Sequence, residues 1–442
     1  MSFVYIINNI VWSPVLLVFF ILSGIYFSCK THFFQITRCK TWLKYTLFSL
    51  FDKKSHDNGK KISSFEAVCT SLGASIGTGN IVGVATSITM GGPGAVFWLL
   101  VSSVFSMMLI FFENYLGALY RYKNKQTKTV NGAYAYMEKG LNAKWMGVIY
   151  ALLTVLTSFG MGNMAQSNSI STVIYESFKV PPLITGLSTA ILIGIILFGG
   201  LKRIAKISAV LVPFMGIMYI AGGLIVIIFH IREFTDTVKY ILSCAFSFKS
   251  VSGGLMGYGI TQAVKYGVSR GVFTNEAGIG TSLPLLGANE NETPVKQGMW
   301  GIFQVFIDTI VICSITALAI LMSKAYSPDS DVTGALLCAK AFGTVFGKFS
   351  DVFITVSITL FAFATLASFS VLGFKAMEYI FKKDHSFLYT VLYLFFIVMG
   401  SINSVGIVFE ISDIFNGLMA IINLTALLLL RKKINVRNGI NS

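Results

Sequence analysis

Charge is scarce in this chain of 442 residues: 12% are Asp, Glu, Lys or Arg, against roughly 25% in an ordinary soluble domain. With 55% of residues hydrophobic, there is no polar shell large enough to keep the chain in water. Proline is rare as well, with 8 in the whole sequence, so helices can run long without interruption. The four histidines (32, 56, 230, 385) fall at predicted span ends or in loops, which excludes a histidine proton relay at mid-membrane. The six cysteines (29, 39, 69, 244, 313, 338) show no paired spacing and no CxxC. That excludes a zinc site and a disulfide framework, and they read as free thiols. No GxSxG, HExxH, Walker or strand-borne GxGxxG sequence occurs. A membrane enzyme would need a cluster of His, Asp or Cys at one face, and none is visible. No Lys or Arg lies within residues 1–11, so the basic start of a signal peptide is missing.

What is present is apolar length. Runs such as "SPVLLVFFILSGIYF" and "LMAIINLTALLLL" are long enough to cross a bilayer, which takes about 20 residues. Eleven spans are predicted, at 13–30, 64–90, 95–120, 145–175, 182–200, 205–230, 251–288, 299–323, 350–380, 386–404 and 407–430. An odd number puts the termini on opposite sides. Of the 34 Lys and Arg, this arrangement places 25 on one face and 7 on the other, with Lys265 and Arg270 inside span 7. Basic residues collect on the cytoplasmic side. The expected topology is therefore an outer N-terminus and a cytoplasmic tail, 431–442, in a bacterial-type inner membrane. The net charge of +15 is read as this asymmetry and not as a nucleic-acid footprint. No soluble domain is visible. Segment 31–63 interleaves aromatic and basic residues and reads as an interfacial amphipathic helix, and 236–248 as a second one on the outer face.

One span is built to come apart. "GASIGTGNIVGVAT", Gly73–Thr86, holds four glycines within eleven residues, together with Ser75, Thr78 and Asn80. Glycine lowers the cost of leaving the helix and leaves room for an approaching group. A turn opened in lipid frees N–H and C=O groups, which is tolerated only where protein, ion or solute satisfies them. Half-helix N-termini then favour a carboxylate, and freed carbonyls a cation. The plainer reading is close helix packing through GxxxG-like spacing. Five spans later a second Gly-rich segment, Ser252–Gly287, contains Arg270 and Glu276. Its break falls either at Gly253–Gly259 or at Gly271–Asn275, the second being the better candidate for solute contact. Paired interruptions mark a transporter site. They divide the chain into an added N-terminal helix (13–30), a first five-helix unit (64–230) and a second, inverted one (251–430).

At these residues the chain resembles the alanine/glycine:cation symporter family. The resemblance rests on "GTGNIVGVATSITMGGPGAVFW" (77–98), "GMGNMAQSNSI" (160–170), "SRGVFTNEAGIG" (269–280), "PVKQG" (294–298), "DTIVICSITAL" (308–318) and "DIFNGLMAIINL" (413–424), and it covers nearly the whole chain. It implies an all-α membrane protein with a leucine-transporter-type inverted repeat and sodium- or proton-coupled uptake of a small neutral amino acid by one chain, without an obligatory protein partner. It further implies substrate contacts from Ser75, Gly77, Thr78, Gly79, Asn80, Gln166, Gly271, Phe273, Asn275 and Phe369. For a sodium ion it implies the carbonyls of Gly73 and Ile76 and the Thr365 hydroxyl. Span 9 departs from the pattern: the family reads close to "FSTIIGWSYYGE", this chain "FATLASFSVLGFK" (363–375). Ala364 replaces a hydroxyl residue and Phe369 a tryptophan, which points to a weaker ion site and room for substrates bulkier than alanine, such as glutamine.

The remaining polar residues carry competing readings. Gln166 is either a ligand contact or glue between helices, and Thr365 can bond its own helix. Ionisable groups at depth are functional candidates by default. Glu276 is expected to pair with Arg270 and shape the second break, Asp308 to tie helices or carry a proton, Glu113 to pair elsewhere, and Glu66 to be solvated at the interface. The function expected is secondary active symport. Proton coupling, or a passive channel, is the alternative.

Overall fold

The computed structural model describes residues 2–51, 62–123, 129–246, 258–288, 292–328, 332–382, 386–403 and 406–433. Among them the chain is almost entirely helical, with one two-stranded hairpin pairing Tyr122–Lys123 with Thr129–Val130. Seven helices are long and apolar enough to cross a membrane, and four shorter apolar helices accompany them. The eleven spans expected from the sequence fall on these helices as follows. Span 1 is Pro14–Lys30 and span 3 Gly94–Tyr120. Spans 5 and 6 are Pro182–Leu197 and Gly200–Phe229, span 9 is Phe349–Phe381, and spans 10 and 11 are Ser386–Ile402 and Gly406–Leu429.

The other four spans are interrupted. Span 2 consists of Ser64–Ser75 and Val82–Gly91, separated by one 3-10 turn at Thr78–Asn80. Span 4 runs from Lys144 to Phe178 through a π turn at Gly160–Met164. Span 7 comprises Tyr258–Asn275 and the short helix Leu283–Leu286, and span 8 runs from Pro294 to Met322 through a π segment at Phe306–Cys313. A π turn re-aims side chains at a functional site, and Asp308 sits in the second of these.

Local chemistry explains the starts. Ser63 accepts from the Glu66 N–H at 3.2 Å while Glu66 Oε2 accepts from the Ser63 N–H at 2.8 Å. This capping box gives Glu66 a use beyond the simple solvation expected of it. Pro182 and Pro294 occupy first helical positions, where the missing N–H has no partner to lose.

Two peripheral expectations change. Segment 31–63 does not form one interfacial helix: it folds into Phe34–Thr37, Cys39–Tyr45 and a 3-10 turn at Phe48–Phe51, and 52–61 lie outside the described residues. Trp42 is buried, its ring 5.5 Å from that of Phe306 in span 8. Tertiary packing on span 8 thus replaces the interface as its environment. The outer segment does form a helix, Phe234–Ala245, docked on span 3 where Trp98 Nε1 donates to the Ala245 carbonyl at 3.1 Å. The helix Gly334–Phe346 packs on span 9 and on the second half of span 2.

Candidate functional site

The helix of span 2 ends at Ser75. In a continuous helix the Gly77 N–H would return to the Gly73 carbonyl; here it donates to Asn80 Oδ1 at 3.0 Å. The Asn80 N–H goes to Gly77 O and the Ile81 N–H to Thr78 O, both at 3.3 Å. Among the described residues no backbone N–H reaches the carbonyls of Gly73, Ala74, Ser75 or Ile76, and the N–H groups of Thr78 and Gly79 find no backbone acceptor. The break therefore exposes carbonyls from its first half and donors from its second.

Asn80 holds this shape. It is fully buried, and its amide donates to the Asp308 carbonyl at 2.9 Å and to Asp308 Oδ1 at 2.7 Å. Thr309 donates to Asp308 Oδ2 at 2.8 Å, and Thr316 donates to the Asn80 carbonyl at 2.9 Å. With its oxygen on Gly77 and its nitrogen on Asp308, the Asn80 side chain braces the turn from within the protein, and Asp308 ties spans 2 and 8.

Span 9 packs against the break. A β-carbon placed on Gly73 would lie 2.9 Å from Ser368 Oγ, and one on Gly77 would lie 2.8 Å from Thr365 Oγ1 and 3.7 Å from Gln166 Oε1. Thr365 bonds its own helix through Phe361 O at 3.1 Å. Ser368, fully buried, has a hydroxyl with no hydrogen-bond partner among the described residues. Sequence reasoning missed Ser368, although it lies one turn from Thr365 and so on the same helix face. Ser75 donates to Leu72 O at 3.3 Å, within its own helix.

Gln166 bridges span 4 to the break: Thr78 Oγ1 donates to its Oε1 at 3.2 Å, and its Nε2 donates to Met161 O at 3.2 Å. The rest of that polar face points elsewhere. Asn163 donates to Tyr393 O at 2.7 Å and Asn168 to Gly400 O at 3.2 Å, both tying span 4 to span 10. Phe369 is buried with its ring over Gly162, in the π turn of span 4. That is one helical turn from Thr365.

Span 7 breaks later than expected. Tyr258–Asn275 is continuous helix, and the irregular stretch is Glu276–Ser282. Three residues there, Glu276, Gly278 and Gly280, have positive φ, at 54°, 80° and 89°. Most of Gly253–Gly259 lies outside the described residues. Gly271 therefore sits within the helix, where a β-carbon would meet Ser102 Oγ at 2.7 Å; its smallness serves packing on span 3, which corrects its assignment as a substrate contact. Phe273 and Thr274 do approach the first break: a β-carbon on Gly79 would be 3.7 Å from Phe273 Cδ1 and 3.2 Å from Thr274 Oγ1. Asn275 accepts from the Ala277 N–H at 3.1 Å, and its buried Nδ2 has no partner among the described residues.

The expected Arg270–Glu276 pair does not form. Glu276 accepts from Thr281 at 2.6 Å. The Arg270 guanidinium lies 5.6 Å from the centre of the Phe273 ring. The helix between Arg270 and Glu276 carries the two side chains apart.

A family model described as the sodium:alanine symporter family matches residues 1–438. The chain belongs to the sodium:alanine symporter family. It is a multi-pass membrane transporter and not an enzyme. The chain is 36% identical to the sodium/alanine symporter AgcS of Methanococcus maripaludis, over 97% of this chain and 94% of that protein. It is also 36% identical to the probable sodium/glutamine symporter GlnT of Bacillus subtilis, over 97% of this chain and 87% of that one. Among solved structures, MhsT in complex with L-phenylalanine superposes with a TM-score of 0.59 at 13% identity, covering 83% of this chain and 89% of that one. The symporter thus has the leucine-transporter-type fold expected for it. Spans 2 and 7, the two whose helix is broken and not merely widened by a π turn, lie five apart in the chain, and the resemblance assigns residues of both, with Gln166, Thr365 and Phe369, to the transported species.

Proposed function

We propose that the chain moves a small neutral amino acid inward together with sodium, and that both bind at the span 2 break. The observation that carries this reading is the row of carbonyls at Gly73–Ile76 without backbone donors among the described residues, in a break that packs against span 9 where β-carbons on Gly73 and Gly77 would lie within 3 Å of the Ser368 and Thr365 hydroxyls. Carbonyl and hydroxyl oxygens at the C-terminal end of a half-helix suit a hard monovalent cation. Gly73, Ile76, Thr365 and Ser368 would hold it. The amino acid would lie on the other side of the break. Its carboxylate would meet the N–H groups of Thr78 and Gly79, and its amino group Gln166 Oε1. Asn275 Nδ2 and the Phe273 ring would close over it from span 7, and Phe369 would bound the side-chain pocket.

No covalent step is involved. The ion acts by differential binding: it stabilises the substrate-ready form of the break, and by reciprocity the substrate strengthens the ion. Inner-membrane insertion with an outer N-terminus follows from the charge asymmetry. A single chain holds all the proposed ligands.

The test is uptake into proteoliposomes. Radiolabelled alanine should accumulate under an inward sodium gradient and fail to do so when the gradient is collapsed, and the twenty amino acids competed against it should define the side-chain limit. Accumulation driven equally well by a proton gradient without sodium would overturn the ion assignment. Uptake that never exceeds equilibrium would favour a passive channel.

A further inference from the structure

A cavity of about 790 Å³ opens on the basic face, between the strands Tyr122–Lys123 and Thr129–Val130, the helix Ala133–Gly140, the start of span 4 and the end of span 9. Five lysines line it, Lys123, Lys139, Lys144, Lys375 and Lys382, against two acids, Glu138 and Glu378. Both acids are engaged. Glu378 pairs with Lys375 at 3.1 Å. Glu138 accepts from Tyr379 at 2.8 Å and Tyr122 at 3.0 Å and lies 3.5 Å from Lys139. Burial pushes the Glu138 carboxyl up, but the Tyr379 and Tyr122 hydroxyls and Lys139 together hold it below the ordinary range. Lys123 and Lys144 have no carboxylate partner among the described residues. Lys144 also begins the helix of span 4, whose positive end adds to the field there.

A second cavity, about 350 Å³, lies beside the first. Its walls are apolar, including Phe198, Leu201, Ile204, Val371 and Phe374, between spans 5, 6, 9 and 10. Lys375 lines both cavities. Trp145, 68% exposed, follows Lys144, and Phe198 and Phe387 are 64% and 72% exposed beside the groove. Exposed tryptophan marks the headgroup level of a membrane protein. A lysine-lined chamber and a mostly apolar slot thus lie side by side, with Lys375 lining both.

We propose that this paired cavity binds one anionic phospholipid, its headgroup among Lys123, Lys144 and Lys375 and an acyl chain in the slot formed by spans 5, 6, 9 and 10. Basic pockets between membrane helices on this face are suited to such headgroups. The site is separate from the span 2 break, so it stands whether or not the ion and substrate assignments do. By touching the ends of spans 4 and 9, the two helices that supply Gln166 and Thr365, a bound lipid would link membrane composition to transport.

Native mass spectrometry of the full chain tests the proposal, with phosphatidylglycerol and phosphatidylcholine of matched acyl chains as probes. The wild type should retain one phosphatidylglycerol, in preference to phosphatidylcholine by on the order of tenfold, the effect of one to two lysines near the surface. Lys123→Gln with Lys144→Gln should reduce that preference to near unity. Thr390→Trp, which fills the slot while leaving every lysine in place, should weaken retention of both lipids. Glycerol 3-phosphate at millimolar concentration should not displace the lipid. Equal retention of the two lipids by the wild type overturns the proposal, and so does displacement by glycerol 3-phosphate, which would make the site one for a soluble anion. Should the double variant fail to fold, the wild-type preference and Thr390→Trp still decide.

Discussion

The two interrupted spans solve the same problem in opposite ways. In span 2 the carbonyls of Gly73–Ile76 are left without donors among the described residues, and one side chain, Asn80, holds the turn open from behind. In span 7 the opened backbone is roped to its neighbours. Asn423 of span 11 donates to Gly278 O at 2.9 Å, Tyr150 of span 4 to Ile279 O at 2.6 Å, and Asn131 to Leu283 O at 3.0 Å. Asn423 in turn bonds Glu113 and Tyr136. A freed backbone group at depth must find a partner. In span 7 the carbonyls of Gly278 and Ile279 find theirs on neighbouring helices, and the span presents Phe273 and Thr274 to span 2. In span 2 none of the carbonyls of Gly73–Ile76 meets a backbone donor among the described residues, and under the proposed function they serve the transported ion.

This contrast can be broken by substitution. The largest effect is expected at Gly77→Val, whose side chain would collide with Thr365 from a position where even a β-carbon lies at 2.8 Å. Uptake should fall to background in proteoliposomes while the protein still inserts. Asn80→Ala should come next. It strands the Gly77 N–H and the Asp308 carboxylate, a loss of about 2–4 kcal/mol, readable as a lowered melting temperature together with lost uptake. Ser368→Ala and Thr365→Val each remove one oxygen and should raise the half-saturating sodium concentration about tenfold, with little change in melting temperature. In span 7, Tyr150→Phe should do the reverse. Melting should fall by an amount equivalent to about 1 kcal/mol, and the sodium requirement should hold within about twofold. If Tyr150→Phe shifts the sodium requirement as far as Ser368→Ala does, the division into an open break and a braced one fails. The smallest effect is expected at Ser63→Ala, which removes a helix cap worth about 1 kcal/mol and lies away from the break.

Much of this was readable before any coordinates. The run Gly73–Asn80 carries its break in its composition, because glycine and short polar residues weaken a helix locally. Gln166 stood out as a polar side chain in an apolar span, and it does reach Thr78. What went unread was mostly partnership. Asn80 looked like a ligand because its amide is polar and sits at the break; its partner Asp308 is 228 residues away. Arg270 looked like the partner of Glu276, six positions on, but the intervening helix points them apart. Gly271–Asn275 looked like the better of two candidate breaks for solute contact. The backbone instead stays helical through Asn275 and turns at Glu276, Gly278 and Gly280, where Asn423, Tyr150 and Thr281 are available to receive it.

Hydrophobic length, the basic asymmetry of the loops and the clustering of glycine are properties of the chain alone, so the sequence by itself determined that this is a many-spanned membrane protein with two weak points. Which weak point stays open was decided only by the fold. A freed carbonyl or N–H in the membrane interior must be met by something, and whether that is a tyrosine from another helix or a travelling ion depends on contacts between residues far apart in the chain.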